Sequence, residues 1–349
     1  MRTRTFLAFV APSLVSMGLL IALPLLGVIY LALHQSHVKT EQVRVVTKVP
    51  LFAGQSRDQV SFVPQAVLDE HGRSVRVWNY VGLRNMTDAS QLREVEEAIQ
   101  KDRPQASLPD LVEGMYRDVT NLDFWGALEF TLLLTFISTP FVLVLGFLLA
   151  LAVNRATHWL KGPLIFASLL PMIVTPVVSA LAIYWLFLDN AIVASVLRQL
   201  GFGQIYFLKD SFTIRTLIIV YEVWYAVPFA FIVLYAGLQS VPQETVEAAY
   251  VDGASRWQTV RMVTIPHLAP LFAVIALIHI MDAYRVFEPI LVFNSRVFAS
   301  SLQYLIYNVL AFEDNVHRAA AYGVLTVVGI VILLIPVLVR TWRDQRGMT

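Results

Sequence analysis

Residues 239–266 read Gln239-Ser-Val-Pro-Gln-Glu-Thr-Val-Glu-Ala-Ala-Tyr-Val-Asp-Gly-Ala-Ser-Arg-Trp-Gln-Thr-Val-Arg-Met-Val-Thr-Ile-Pro266. The pattern predicts two short helices around one turn. Ser240 can cap a helix that begins near Pro242, and Gln243 with Glu244 brings negative charge to the positive end of its dipole. Asp252-Gly253 stops that helix, because Gly253 can take φ > 0 just past the cap. Ala254 to Val263 can restart as a second helix that returns the chain at Pro266. Between the two helices, the small pair Ala248-Ala249 permits close approach of another protein surface. A connection this ordered predicts a socket for a partner.

On either side lie long apolar segments. About Arg215–Ser240 carries Glu222, and about Pro266–Phe293 carries His279, Asp282, Arg285 and Glu288. Phe6–Leu33, Phe130–Val153, Pro163–Leu188 and Ala319–Val339 carry no charge at all, and each has the roughly 20 residues that cross a bilayer. The 349 residues are 57% apolar and 15% charged, with mean hydropathy +0.64, which excludes a soluble or disordered chain. Phe6–Leu33 follows Arg2 and Arg4 but reaches about 40 Å as a helix, too long for a signal peptide's apolar region. It is expected to be a retained first span. Six spans place both termini on one side. Arg2, Arg4, Arg155, Lys161, Arg256, Arg261, Arg340, Arg343 and Arg346 flank that side, against Arg198, Lys209, Arg215, Arg296 and Arg318 on the other. The excess of positive charge predicts cytoplasmic termini and a cytoplasmic 239–266 connection. With 26 Lys+Arg against 25 Asp+Glu, no basic domain suited to nucleic acid is present, and the chain has no Cys.

Between the first two spans, His34 to Phe124 holds 11 basic and 13 acidic side chains. It predicts a small mixed α/β extracytoplasmic insertion, read either as a spacer or as a docking surface for a soluble partner. Gln42-Val-Arg-Val-Val-Thr-Lys-Val and Ser74-Val-Arg-Val-Trp alternate as half-buried strands do. Ser90 is expected to cap a helix with Leu92, Val95 and Ile99 on its apolar stripe, ending before Pro104. Pro24, Pro140, Pro171, Pro176, Pro228 and Pro336 fall within spans and predict kinks. Trp159, Trp257 and Trp342 read as interfacial anchors.

The 239–266 stretch resembles the EAA loop of binding-protein-dependent ABC importers. That family shows Glu-Ala-Ala, three residues, Gly, about nine residues, then Ile, one residue and Leu-Pro. Here Glu247-Ala248-Ala249 and Gly253 match, and Val263-Thr264-Ile265-Pro266 stands where sugar-type members commonly show Ile-Thr-Leu-Pro. Resemblance to the maltose-type sugar permeases extends over roughly Leu128 to Arg340. It runs through Pro171-Met-Ile-Val-Thr-Pro, Phe187-Leu-Asp-Asn-Ala-Ile-Val-Ala-Ser-Val-Leu-Arg-Gln-Leu-Gly and Tyr304-Leu-Ile-Tyr. Where the family often has Thr-Gly-Gly-Pro, this chain reads Val292-Phe-Asn-Ser-Arg-Val-Phe, which leaves the solute open.

The resemblance implies an all-α polytopic membrane protein with six transmembrane helices in the type I ABC importer permease architecture. Its parts would be a first helix over 1–33, an insertion over 34–124, and a five-helix core over 125–349 with the EAA loop at 240–268. It further implies a bacterial cytoplasmic (inner) membrane protein whose partners are two ATPase subunits, a second homologous permease, an extracytoplasmic solute-binding protein and membrane lipid. Glu244, Glu247, Ala248, Ala249, Asp252, Gly253 and Arg256 would couple to the ATPase. ATP and Mg would sit on those partners, with no cofactor or metal bound by this chain. Independently, no Gly-x-x-x-x-Gly-Lys-Ser/Thr phosphate loop is present.

Ionisable groups within spans usually face a cavity or a partner. Glu222 in Tyr221-Glu-Val-Trp-Tyr225 suits a sugar, held by carboxylate hydrogen bonds beneath an aromatic ring. His279, Asp282, Arg285 and Glu288 recur every three residues as a slowly drifting stripe, read either as structural ion pairing or as solute contact. In the resembled family, sugar contacts lie in the helices before and after the loop. By position this points to Glu222, Tyr225, His279 and Asp282, with Thr175 as a further candidate. A sugar or sugar-derived solute is expected, with another polar solute as the alternative. A polytopic membrane enzyme lacks any supporting motif, and a passive channel leaves the ordered loop without a purpose.

Overall fold

The computed structural model describes residues 3–50, 56–101 and 108–346. Arg2 and Pro104, expected as a flank charge and a helix stop, lie outside the described residues. So do the side chains of Arg4, Arg340, Trp342, Arg343 and Arg346.

The chain opens with α1 (Thr3–Met17) and α2 (Leu23–Leu33), joined by a π turn at Gly18–Ala22. Four strands follow, β1 (His34–Val38), β2 (Thr40–Pro50), β3 (Ser56–Ala66) and β4 (Arg76–Tyr80). The small helices α3 (Arg84–Ser90), α4 (Leu92–Gln100) and α5 (Leu108–Thr120) lead to the long α6 (Asp123–Arg155). Then come α7 (His158–Ile173), α8 (Pro176–Leu186), α9 (Ile192–Gln199) and α10 (Ser211–Gln239). The remainder is α11 (Gln243–Val251), α12 (Arg256–Thr259), α13 (Ile265–Ala283), α14 (Glu288–Val292), α15 (Leu302–Phe312) and α16 (Val316–Arg346). Among the described residues, five helical segments are long and apolar enough to cross a membrane, or six if the bent pair α7–α8 counts as one.

Two compact units divide the chain. One comprises Met1–Ala89 with Glu313–Val324, and the other Ser90–Phe312 with Leu325–Thr349. The boundary at Ala89–Ser90 falls inside the 34–124 insertion. In the first unit β1 pairs antiparallel with β4, and β2 with β3 over eleven registered pairs from Thr40–Ala66 to Pro50–Ser56. Asn85 Nδ2 donates to the carbonyls of Ala32 and His34 at 3.0 and 2.9 Å, fixing the first helix end to the strands. His317 Nε2 accepts from the Ser36 N–H at 3.0 Å, and its Nδ1 lies 3.1 Å from the Leu31 carbonyl.

In the second unit α6, α10 and α13 pack lengthwise around Val142, Phe147, Ala230, Phe231, Leu234, Leu268 and Ile275, all buried. A second apolar cluster joins Phe130, Leu134, Ile214, Ile218, Ala283 and Ile290. Small residues let the α6 and α10 backbones meet, which is how membrane helices gain contact without a hydrophobic driving force. A Cβ at Gly146 would lie 2.6 Å from the Ala230 Cβ and 3.1 Å from its carbonyl carbon. Gly146→Val should therefore cost about 1–3 kcal/mol through forced separation of the helices. Gly162→Val, whose Cβ meets nothing within 4 Å, serves as the reference. Thermal denaturation of the two purified variants checks this, and equal melting temperatures would refute the close-packing argument.

Several local expectations are corrected. Pro163–Leu188 is not one straight span, because α7 and α8 bend by 96° at Val174-Thr175. Thr175 precedes Pro176 and takes the extended φ −62°, ψ 147° to which a pre-proline residue is driven. The span expected over Pro266–Phe293 falls within one apolar segment, Arg256–Val292, but its helix is interrupted near the end. Pro289 has no N–H to give the Arg285 carbonyl, so α13 ends at Ala283 and α14 restarts at Glu288. Ser240 caps no following helix. It is the C-cap of α10, its Oγ donating to the Gly237 carbonyl at 2.7 Å, and Pro242 precedes α11. Nor does Ser90 cap α4, since Gln91 in a left-handed conformation (φ 53°) stands there.

Several prolines leave their helices unbroken, Pro140 in α6, Pro228 in α10 and Pro336 in α16 among them. Pro24 and Pro266 each follow a π turn in which an N–H reaches five residues back, Leu23 to Gly18 and Ile265 to Val260. The wider turn accommodates the ring that would otherwise clash with the preceding turn. Residues 256–283 consequently run as one helical rod from the 239–266 connection into the apolar core.

Candidate functional site

A cavity of about 560 Å³ opens between α10, α13 and the broken segment after it. Asp210 begins α10, its Oδ2 accepting from the Phe212 and Thr213 N–H groups at 3.0 and 3.1 Å. Three turns on, Tyr221 donates to the Pro176 carbonyl at 2.9 Å and lies 2.8 Å from Ser179 Oγ. The α7–α8 bend thereby anchors the α10 face that carries Glu222 and Tyr225. Tyr225 stacks on Tyr221 with centroids 6.0 Å apart and planes 17° from parallel. Glu222 is 9% exposed, lines the cavity, and has no hydrogen bond or ion pair among the described residues.

From the opposite side α13 contributes His279 and Asp282. His279 is buried, with Nε2 2.9 Å from Ser138 Oγ on α6, so one ring nitrogen is held by the scaffold. Asp282 Oδ1 accepts from Arg285 Nη2 at 3.2 Å, and both side chains are more than half exposed. Because α13 stops at Ala283, the stripe His279, Asp282, Arg285 and Glu288 does not continue along one helix. All four nevertheless line the cavity, Glu288 from the first residue of α14.

The non-helical backbone that allows this is satisfied internally, as backbone at membrane depth must be. Ser301 Oγ donates to the Val286 carbonyl at 2.5 Å and accepts from the Tyr304 N–H at 3.1 Å, while the Leu302 N–H donates to Thr131 Oγ1 at 3.2 Å. At the head of α10, Arg215 Nε donates to the Phe298 carbonyl at 2.7 Å and its Nη1 lies 3.1 Å from Glu129 Oε2.

The structure thus brings Glu222, Tyr225, His279 and Asp282 together. Thr175 is not among them, since it is exposed at the bend and its neighbour Pro176 lines the cavity instead. Tyr221, Phe287 and Gln303 also line it and were not expected there. A lone polar residue at the start of the apolar helix α15 was the available signal for Gln303. Arrayed in this way, carboxylates, an amide and tyrosines can hydrogen-bond and stack on a polar ring.

The expected coupling residues form a separate, exposed feature. Glu244 lies in the first turn of α11, and Glu247 accepts from Gln243 Nε2 at 3.0 Å. Ala248 is exposed and Ala249 half-buried, Asp252 is the C-cap, and Arg256 opens α12. Gly253 has φ +84°. Its N–H donates to the Tyr250 carbonyl at 3.0 Å and the Ala254 N–H to the Ala249 carbonyl at 2.9 Å, the paired bonds of a Schellman stop. Ser255 and Gln258 then form a reciprocal capping box that starts α12. Val251, Trp257 and Met262 stand exposed on this connection.

Residues 130–346 match the family described as binding-protein-dependent transport system inner membrane component. The chain is 30% identical over 239 residues to a probable ABC transporter permease protein of Sinorhizobium fredii, covering 66% of this chain and 75% of that one. It is 31% identical over 173 residues to the trehalose/maltose transport system permease protein of Thermococcus litoralis, covering 49% of this chain and 58% of that one. The match therefore spans little more than half the length of the second relative. The fold is shared with a solved bacterial alginate ABC transporter in complex with an alginate pentasaccharide-bound periplasmic protein. That likeness has a TM-score of 0.56 at 24% identity, over 71% of this chain and 85% of that one. With its apolar spans, its ordered loop and a family match over most of its length, the chain belongs to the inner membrane components of binding-protein-dependent transport systems.

Proposed function

We propose that this chain is the membrane-spanning permease subunit of an ATP-driven importer for a sugar or sugar-derived solute. An extracytoplasmic binding protein delivers the solute to the 560 Å³ cavity, and alternating access moves it across. Two separate ATPase subunits and a second, similar permease complete the complex, with both termini of this chain cytoplasmic. The carrying observation is the meeting of Glu222, Tyr225, His279 and Asp282 in one cavity between the two helices that flank the 239–266 connection. Trehalose and maltose in the name of the similar Thermococcus litoralis permease support a saccharide.

The unbroken helix over residues 256–283 supplies the mechanical link. It extends about 40 Å at 1.5 Å per residue. A displacement of Arg256 by an ATPase closing on nucleotide therefore reaches His279 and Asp282 without crossing a flexible joint. Glu244, Glu247, Ala248, Ala249, Asp252, Gly253 and Arg256 form the contact that receives it.

Glu222→Ala and Asp282→Ala are expected to lower solute uptake about tenfold or more, as loss of a charge-assisted hydrogen bond worth about 1.5–3 kcal/mol requires. Uptake into vesicles containing the assembled complex checks this, with the retained ATPase subunit quantified alongside. An assembled variant that transports at the wild-type rate removes that residue from the site.

A further inference from the structure

The cavity carries more acid than base. Asp282 and Arg285 are paired with each other, which leaves the Glu222 and Glu288 carboxylates with no cation among the described residues. His279 already engages Ser138. Glu222 is the more telling group, because it is nine-tenths buried, lines the cavity and has no hydrogen-bond or ion-pair partner among the described residues. A carboxylate largely withdrawn from bulk water is favoured by a counter-charge and by donors that reach it. No donor or cation of the described residues reaches it, and the cavity that it lines is where the groups of an occupant can. A neutral sugar brings only hydroxyl donors. An ammonium brings donors and the opposite charge, and it relieves the mutual repulsion of carboxylates that share one site.

We infer that the cavity selects a saccharide bearing a protonated amine, an amino sugar or amino-sugar oligomer, over its neutral and acidic counterparts. Glu222 and Glu288 receive the ammonium, and Tyr225 offers the flat face for the ring. The inference rests on the sugar-importer reading above and assigns the class of solute within it. It also separates this cavity from one suited to an acidic polysaccharide, whose carboxylates would meet two unpaired carboxylates here.

The test is equilibrium binding to the purified complex of this chain with its partner permease and ATPase subunits. The binding protein is omitted, so that only the cavity selects. The probes are glucosamine and its fully deacetylated disaccharide, glucose and cellobiose, and glucuronate with a uronic-acid disaccharide. The amino probes are expected to bind at least about tenfold more tightly than the neutral ones, with the acidic probes weakest. Glu222→Gln and Glu288→Gln, made separately in case one fails to assemble, should each narrow the amino-to-neutral ratio. Neutral probes binding as tightly as amino ones overturn the inference and leave the sugar reading standing. Binding of none of the saccharides, with a non-carbohydrate such as a dipeptide bound instead, overturns both.

Discussion

Gly253→Val is expected to release the ATPase subunits from the complex or to uncouple ATP hydrolysis from uptake, with every membrane span still inserted. The reason is conformational rather than steric. A Cβ at this position meets no atom within 4 Å, yet the backbone stands at φ +84°. A β-branched residue there costs about 1–3 kcal/mol. Relief comes only by moving to φ < 0, which breaks the bonds from Gly253 to Tyr250 and from Ala254 to Ala249. The nine-residue α11 has no side-chain cap at its N-terminus, so this stop is its main local support. Its loss redirects α12 and with it the rod that enters the cavity. Gly253→Asn, which tolerates the left-handed region, should retain most of the coupling. Glu247→Lys acts differently, reversing an exposed charge that Gln243 orients. It should weaken ATPase retention without altering the turn. Co-purified ATPase subunit, nucleotide hydrolysis and solute uptake are the three readouts. Wild-type values for all three in both Gly253→Val and Glu247→Lys would show that this connection is not the coupling element.

Much of this was legible in the amino-acid sequence because hydrocarbon imposes a simple composition rule on whatever crosses it. Runs without charge marked the spans, and the few ionisable residues inside them, Glu222, His279 and Asp282, marked the cavity by the cost of placing them elsewhere. The Gly253 stop was legible for a similar reason, since only a small menu of residues ends a helix in that way. What escaped depends on geometry that local sequence does not encode. The 96° bend before Pro176 converts a candidate contact, Thr175, into an exposed corner and brings its neighbour to the cavity. Ser240 could serve either as the end of α10 or as the start of α11, and three intervening residues left too little pattern to choose. Tyr221 reads as an ordinary core tyrosine until its hydroxyl is seen on the Pro176 carbonyl. Gln303 reaches the cavity because the chain between Ala283 and Leu302 is helical only over the short α14, a path held by Ser301 and Thr131.

Removal of the β2–β3 ribbon is expected to abolish stimulation of ATP hydrolysis by the binding protein while leaving the complex assembled. The ribbon is eleven pairs long, and every described side chain over residues 40–46 and 60–66 is exposed, Val43, Val45, Val60, Phe62 and Val63 among them. An isolated two-stranded ribbon with both faces in water is marginally stable at best. Both its long edges also carry unpaired backbone groups of the kind that a partner strand or surface satisfies. A soluble protein docking on the insertion would supply the missing burial. Excision is structurally clean, because the Val67 N–H donates to the Lys39 carbonyl at 2.9 Å and the two ends already meet. Joining Lys39 to Val67 through two glycines leaves β1 and β4 paired and leaves Asn85 and His317 on their partners in the same unit. A stimulated hydrolysis rate near the unstimulated one is the expected result, measured with saturating binding protein and solute. Stimulation equal to that of the intact chain would instead make the ribbon a spacer, and the docking surface would have to lie elsewhere.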